Sequence, residues 1–154
     1  MATATGRRTT GRRRAALEHG PLRHAEPDGC PLRLDLHLPA GGGPWPVALW
    51  LHGGGWAVGA RTCALTSVRC RWRTGVAVAA VQYRLTDRAT FPAQLDDARA
   101  AVRWQRAHGA GHGLSTDRDG ELGDSSVQAV VSWFPPTDLL SRAGDVPDGP
   151  RRRS

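Results

Sequence analysis

The sequence predicts an α/β fold in which helices flank a mostly parallel sheet. Three apolar runs of strand length, residues 47–51, 76–83 and 127–134, are separated along the chain by stretches with helical and turn patterns. This alternation is typical of parallel strands joined by crossover helices. A chain of 154 residues has the length of one domain, and 40% hydrophobic with 23% charged residues is compatible with a globular core.

The predicted strands come in two kinds. Residues 32–38 alternate four leucines with three polar residues, which is the period of a half-buried strand. Residues 47–51 and 76–83 are continuous apolar runs, and such runs are typical of strands buried on both faces. Residues 127–134 predict a last buried strand of the same kind.

Two helices are predicted between these strands. Residues 61–74 are expected to be helical, although arginines interrupt the apolar positions. Residues 92–108 show the clearest helical pattern, with a proline in the first turn and Gly109 at the stop. Its predicted apolar face consists of Phe91, Leu95, Ala98 and Val102.

Charge and composition divide the chain into three parts. Residues 1–18 are expected to be a disordered basic arm, residues 19–140 a folded domain and residues 141–154 a disordered tail. The net charge is +7, and residues 1–24 alone hold six arginines and one glutamate. Because the rest of the chain is close to neutral, we expect weak polyanion binding by the arm and no specific nucleic-acid binding.

The sequence gives no sign of a membrane span, a metal site or a cofactor. No apolar run approaches the roughly 18 residues that a span requires, and no apolar segment follows the basic N-terminus, so a cytoplasmic protein is expected. Cys30, Cys63 and Cys70 include no CxxC pair and are expected to be reduced thiols. His108 and His112 have the spacing of a helical metal pair, but glycines interrupt that stretch.

The most informative motif is HGGGW at residues 52–56, directly after the apolar run 47–51. Glycine allows positive φ and close approach of the backbone to a ligand. Successive backbone N–H groups in such a turn form an anion-binding concavity, which is what an oxyanion hole requires. A dinucleotide-binding loop is disfavoured, because the glycine spacing differs and no acidic residue ends the next strand.

Five segments in order resemble the esterase and lipase family of the α/β-hydrolase fold that carries an HGGG oxyanion loop, as in carboxylesterases and hormone-sensitive-lipase-like enzymes. The resemblance spans roughly residues 19–140. Besides HGGGW, the segments that carry it are LRLDLHLP at 32–39, VAAVQYRL at 78–85, FPAQLDDARAAVRW at 91–104 and VQAVVSWFPPTDL at 127–139. It implies oxyanion donors at Gly53 and Gly54, supported by His52, Gly55 and Trp56.

The sequence departs from the family where the nucleophile belongs. The family places a strand and a GxSxG elbow between the helix ending near Trp104 and the VQAVV segment, whereas this chain has a polar loop and no GxSxG. Ser125 is the candidate nucleophile, but its surroundings, GDSSV, lack the second glycine and a preceding strand. The family order is Ser, then Asp or Glu, then His, and the last histidine here is His112.

The predicted fold is therefore an incomplete α/β hydrolase without its nucleophile elbow. The resemblance implies a carboxylic ester hydrolase acting on a small-molecule ester, and the missing Ser and His predict that this chain is inactive as it stands. Two alternatives stay open: a non-catalytic remnant or binding protein on a hydrolase scaffold, and a polyanion-binding chain that uses the arginine arm. The oligomeric state is not predicted by the sequence.

Overall fold

The computed structural model of the protein describes residues 17–64, 75–116 and 124–132. Within these residues four strands form one sheet in the order β1-β2-β4-β3, and one α-helix packs on it. Arg61–Ala64, the start of the helix predicted over residues 61–74, forms a short 3-10 helix, and residues 65–74 lie outside the described residues. The elements are β1 (Leu17–Ala25), β2 (Leu32–Leu38), β3 (Val47–Leu51), β4 (Ala77–Val81) and α1 (Ala93–His108).

The described sheet is mixed, whereas the sequence predicted a mostly parallel one. β2 runs antiparallel to both β1 and β4, and only β3 and β4 are parallel. The cause is the short link between β1 and β2, which consists of residues 26–31 and includes a 3-10 turn at Pro27–Gly29. A link of that length cannot carry the crossover that two parallel strands need.

The centre of the sheet holds the core, at the strands predicted from 32–38 and 76–83. The β2 leucines and all five β4 residues are at most 3% exposed. One face of the sheet packs against α1 and against Leu114, while Val78 and Ala80 face the opposite side with Trp50. Burial of these side chains stabilises the fold by about 1.5–3 kcal/mol for each large aliphatic group.

β3 has the predicted bounds, but it is not the strand buried on both faces that the sequence predicted. Its first four residues are half-buried, and Leu51 is 47% exposed. β3 is the last strand on its side of the described sheet, so only β4 shields it laterally. A continuous apolar run therefore marks an edge strand here.

α1 also has nearly the predicted bounds, but it presents a different face to the sheet. Phe91 is 76% exposed and Leu95 is 42% exposed. The buried positions are instead Gln94, Asp97, Ala101 and Gln105. The small side chain of Ala101 lets the helix approach the sheet closely, and the carboxylate of Asp97 accepts from Arg84, three residues after β4.

Three further expectations concern the ends of the described segments. β1 begins at Leu17, inside the predicted arm, and glycine and proline interrupt its sequence, so its pattern does not predict a strand. Residues 127–132 are irregular, and Val130 and Val131 are each 79% exposed, so the predicted buried strand is wrong over these residues. Residues 1–16 and 133–154, which include the predicted tail, lie outside the described residues.

Among the helices described, none is long and apolar enough to cross a membrane.

Candidate functional site

The HGGGW loop follows the carboxyl end of β3 and turns back on itself. The N–H groups of Ala57 and Val58 both donate to the carbonyl of Gly54, each over 3.2 Å. The loop therefore has an internal hydrogen-bonded turn. In open α/β sheets, ligands bind in the crevice outside the carboxyl ends of the parallel strands, which is where this turn lies.

His52 and Tyr83 hold the base of the loop. The His52 side chain is buried, and its ring stacks on the Tyr83 ring with centroids 4.4 Å apart. Tyr83 donates its hydroxyl hydrogen to the His52 carbonyl over 2.6 Å, and the His52 Nδ1 lies 2.9 Å from the Gly53 carbonyl. An Nδ1–H tautomer satisfies that second contact. Burial raises the pKa of the Tyr83 phenol.

Glycine is required at two positions of the loop. Gly54 has φ of 125°, and a Cβ there would overlap the carbonyl oxygen of Val58. Gly59 has φ of 119°, and a Cβ there would overlap the His52 ring. At Gly53, by contrast, a Cβ would meet nothing within 4 Å. The exposed face of Gly53 is thus open to a ligand.

Trp56 connects the loop to the chain that follows β4. Its φ is 62°, a value that non-glycine residues rarely adopt, and its carbonyl accepts the N–H of Thr86 over 2.9 Å. Positive φ at a non-glycine residue carries strain of about 1–3 kcal/mol, which surrounding contacts must offset. Here the contacts with Thr86 and with the internal turn fix the loop from both sides.

An ion pair that the sequence did not predict fixes the chain after β4. Arg84 donates its backbone N–H and its Nε to the Asp97 carboxylate, both over 2.9 Å, and its Nη2 donates to the other carboxylate oxygen over 2.9 Å. The Asp97 side chain is 3% exposed. Hydrogen bonding to Asp97 is the main cause that raises the pKa of Arg84. In the sequence Asp97 stands beside a second carboxylate, Asp96, and nothing in that spacing identifies Arg84 as a partner.

Ser125, the candidate nucleophile, lies in irregular residues that contact α1. Its neighbour Ser126 donates both its N–H and its hydroxyl to the Asp124 carboxylate, and Arg106 of α1 donates to Asp124 and to the Ser126 carbonyl. The hydrogen bonds from Ser126 lower the pKa of Asp124 to about 2. No hydrogen bond within the described residues joins Ser125 to the HGGGW loop.

The other predicted residues do not form a metal site in the described part of the chain. No group of three or more potential ligands occurs there. His108 and His112 both stack on Trp104, with ring centroids 5.2 and 5.6 Å away. Cys30 and Cys63 are free thiols, and Cys70 lies outside the described residues. The structure thus holds His52, Gly53, Gly54, Gly55 and Trp56 in one turn, and no described backbone hydrogen bond links Ser125 to it.

A profile of the BD-FAE family matches residues 34–126, which is more than half of the chain. The chain belongs to this family of α/β-hydrolase esterases. The match runs from β2 through the HGGGW loop and α1 to Ser126, and so it includes every element that positions the loop except β1.

Two curated relatives illustrate the range of the resemblance. The carboxylic ester hydrolase LipN of Mycobacterium tuberculosis is 35% identical over 101 residues, which are 62% of this chain and 27% of LipN. The gibberellin receptor GID1A of Arabidopsis thaliana is 32% identical over 84 residues, which are 53% of this chain and 24% of the receptor. The chain therefore matches less than a third of either relative.

A solved structure shows the same fold. The native form of esterase 2 from Thermogutta terrifontis superposes with a TM-score of 0.57 at 24% identity. The superposition covers 67% of this chain and 38% of the esterase. An incomplete α/β-hydrolase fold, as the sequence predicted, is thus the architecture of the described residues.

Proposed function

We propose that this chain carries the oxyanion loop of a carboxylic ester hydrolase, with the backbone N–H groups of Gly53 and Gly54 as donors. The observation that supports this proposal is the fixed turn of residues 52–59 at the carboxyl end of β3. Within the described residues, neither of these N–H groups donates a backbone hydrogen bond, and both glycines are exposed. A ligand oxygen at this turn would therefore meet two unused donors.

The chemistry of ester hydrolysis requires such donors. Attack on an ester carbonyl converts its oxygen to an oxyanion, and preorganised N–H groups stabilise that charge more than they stabilise the ground state. One such donor lowers the activation barrier by about 2.7–4 kcal/mol. In this proposal His52 and Tyr83 are positioning residues, since they hold the loop without facing the ligand, and the substrate is an ester with a short acyl or aryl group.

We further propose that these 154 residues do not hydrolyse esters unaided. They contain no GxSxG sequence, and no histidine follows Ser125 to act as its general base. Ser126, beside it, donates its hydroxyl to Asp124, and a carboxylate paired with Arg106 is a weak base. Ser125 is therefore not assigned as a nucleophile. The cytoplasmic location expected from the sequence stays a prediction.

The donor role is tested by titrating the chain with butylphosphonate, a stable oxyanion, while the glycine amides are observed by NMR. We expect the Gly53 and Gly54 amide resonances to shift, and the amide of Gly42, which is exposed and irregular, to stay in place. The Gly54→Ala variant should lose the response at both positions. Shifts confined to glycines outside residues 52–59 would contradict the proposal.

The lack of hydrolysis is tested with a fluorophosphonate ester, which modifies activated serines. The intact mass of the treated chain is recorded together with its circular-dichroism spectrum. We expect no stoichiometric mass increase on a folded sample. A stoichiometric increase, with peptide mapping to Ser125 or another serine, would show that an activated nucleophile is present.

A second candidate function is binding without catalysis on the hydrolase scaffold. The match to GID1A, a receptor by name, favours it, since residues of this family also serve in a protein that is called a receptor. The two candidates differ in what the loop binds. Saturable binding of a neutral carboxylic ester with no release of product would favour this candidate.

The third candidate is polyanion binding through the arginine arm. It rests on the sequence alone, because residues 1–16 lie outside the described residues. Binding of DNA or heparin that weakens steeply with salt, and that is lost when residues 1–16 are removed, would support it.

A further inference from the structure

The outer edge of β3, meaning the side away from β4, is an open strand edge in the described structure. The Ala77 N–H donates to the Pro46 carbonyl, so the polar groups of residue 46 face β4. Polar groups of successive residues in a strand point to opposite edges. Those of Val47, Leu49 and Leu51 therefore point outward.

One short contact begins to cover this edge and then ends. The Trp45 N–H donates to the Gly113 carbonyl over 3.0 Å, and the Ser115 N–H donates to the Trp45 carbonyl over 2.7 Å. Trp45 and Leu114 thus form an isolated parallel bridge just before β3. No described strand continues this bridge alongside β3.

The edge has none of the features that prevent strand pairing. β3 reads VALWL, without a charged residue, a proline or a glycine. Native proteins protect exposed edges with charges, prolines or bulges, and an unprotected apolar edge pairs readily with a further strand. The outer edge of β3 is therefore suited to receive one.

The described residues include a segment that suits this edge. Residues 127–131 read VQAVV, are uncharged and match β3 in length. β-branched residues favour strands, yet Val130 and Val131 are each 79% exposed. An apolar segment this exposed lacks the partner that its composition favours.

The segment does not pair with the β3 edge of its own chain in the described structure. Residues 127–132 form no strand there, and Arg106 binds Asp124 and Ser126, directly before Val127. The chain after α1 reaches Leu114, which bridges Trp45 just before β3. The β3 edge and the segment are thus both unpaired in one chain, and pairing between two chains would cover both.

We propose that the outer edge of β3 binds residues 127–131 of a second copy of this chain as an added strand. The two copies exchange their segments reciprocally, so that each free edge is covered and the assembly closes as a dimer. Direct pairing of two β3 edges is disfavoured. In antiparallel pairing of two β3 strands centred on Leu49, residue 53 of the other copy would lie opposite Trp45. Leu114 of the same chain already occupies that position beside Trp45. The proposal does not depend on ester chemistry.

The first experiment measures association of the full chain by sedimentation velocity over a range of concentrations, with hydrogen exchange at both ends of that range. We expect a monomer–dimer equilibrium. The amides of Val47, Leu49 and Leu51 should exchange at least about tenfold more slowly in the dimer. The Ala48 and Trp50 amides, which face β4, serve as internal controls and should be protected at every concentration.

Two variants separate the segment from the edge. Val130→Asp places a charge in the exposed segment, and Leu51→Lys places one on the edge. Each should weaken dimerisation at least about tenfold, because a strand pair would have to accommodate a charge. Leu95→Asp, which changes a comparably exposed leucine on α1, is the matched control and should dimerise normally.

Mixing the two variants tests the direction of the contact. Val130→Asp keeps a free edge and Leu51→Lys keeps an intact segment, so their mixture should form a heterodimer that neither variant forms alone. Normal dimerisation of Val130→Asp would overturn the proposal in favour of edge-to-edge pairing. Protection of the outward amides in a monomer, or a monomer with unprotected outward amides at all concentrations, would also overturn it.

Discussion

The two edge strands of the described sheet, β1 and β3, differ in regularity and in charge. β1 contains Gly20 and Pro21 together with charged residues, and its pairing with β2 shifts register twice, between His19 and Leu22 and between Arg23 and Ala25. β3 is regular, apolar and uncharged. Irregular, charged strands resist further pairing and flat apolar strands invite it.

This difference distinguishes an edge that resists further strand pairing, at β1, from an edge that permits it, at β3. β1 has the features of a true sheet edge, whereas β3 has the composition of an interior strand at an edge position. The HGGGW loop follows β3 directly, so the candidate site lies beside the open edge. Whatever covers the β3 edge will therefore also border the loop.

The largest effect is expected where α1 is fixed over the β1 side of the sheet. Asp97→Ala removes the buried carboxylate that accepts three hydrogen bonds from Arg84, and leaves Arg84 with the exposed carboxylate of Asp28. It should lower the free energy of unfolding by about 3 kcal/mol. Urea unfolding measures the change. Asp96→Ala is the matched control, since that side chain is 58% exposed and lies 3.7 Å from Arg99, and its effect should stay within about 0.5 kcal/mol. Equal effects of the two substitutions would contradict this account.

An intermediate effect is expected at the loop beside the open edge. Gly54→Ala introduces a Cβ at positive φ and against the Val58 carbonyl, and should cost about 1–3 kcal/mol. Gly53→Ala, one residue away, has space for its Cβ and should cost less than about 1 kcal/mol. Thermal unfolding of both variants measures the difference. A Gly53→Ala variant as unstable as Gly54→Ala would show that the loop geometry is not as described.

The smallest effect is a pH dependence that originates in β1. His24 is 7% exposed and lies 3.0 Å from the Gln82 carbonyl through Nε2, and burial lowers its pKa below the ordinary value of 6.5. The unfolded chain therefore binds a proton at His24 more readily than the folded chain does. The stability that comes from a neutral His24 is fully present above pH 6.5 and is lost as the pH falls towards the folded-state pKa.

The pH dependence is measured by urea unfolding at a series of pH values between about 5 and 8. His24→Gln, which cannot titrate, should unfold with a shallower dependence on pH than the unaltered chain. A dependence that persists unchanged in His24→Gln would assign it to another group.

Much of the fold follows from local sequence patterns. The alternating leucines of β2, the apolar runs of β3 and β4 and the helical period of α1 each predicted an element within about two residues of its bounds. The HGGGW motif likewise predicted the tight turn, because consecutive glycines after a strand permit backbone angles that other residues avoid. These patterns are local, and so they can be detected before the chain is folded.

Tertiary structure alone decided which strand is an edge, which face of α1 is buried and where β1 begins. The period of α1 places Leu95 on its apolar side, yet the face buried against the sheet is the one that carries Asp97, which pairs with Arg84. An apolar run such as VALWL has the same pattern whether it lies inside a sheet or at its rim. Burial is a property of what packs alongside, and the neighbours of β3 and of Asp97 come from distant parts of the sequence.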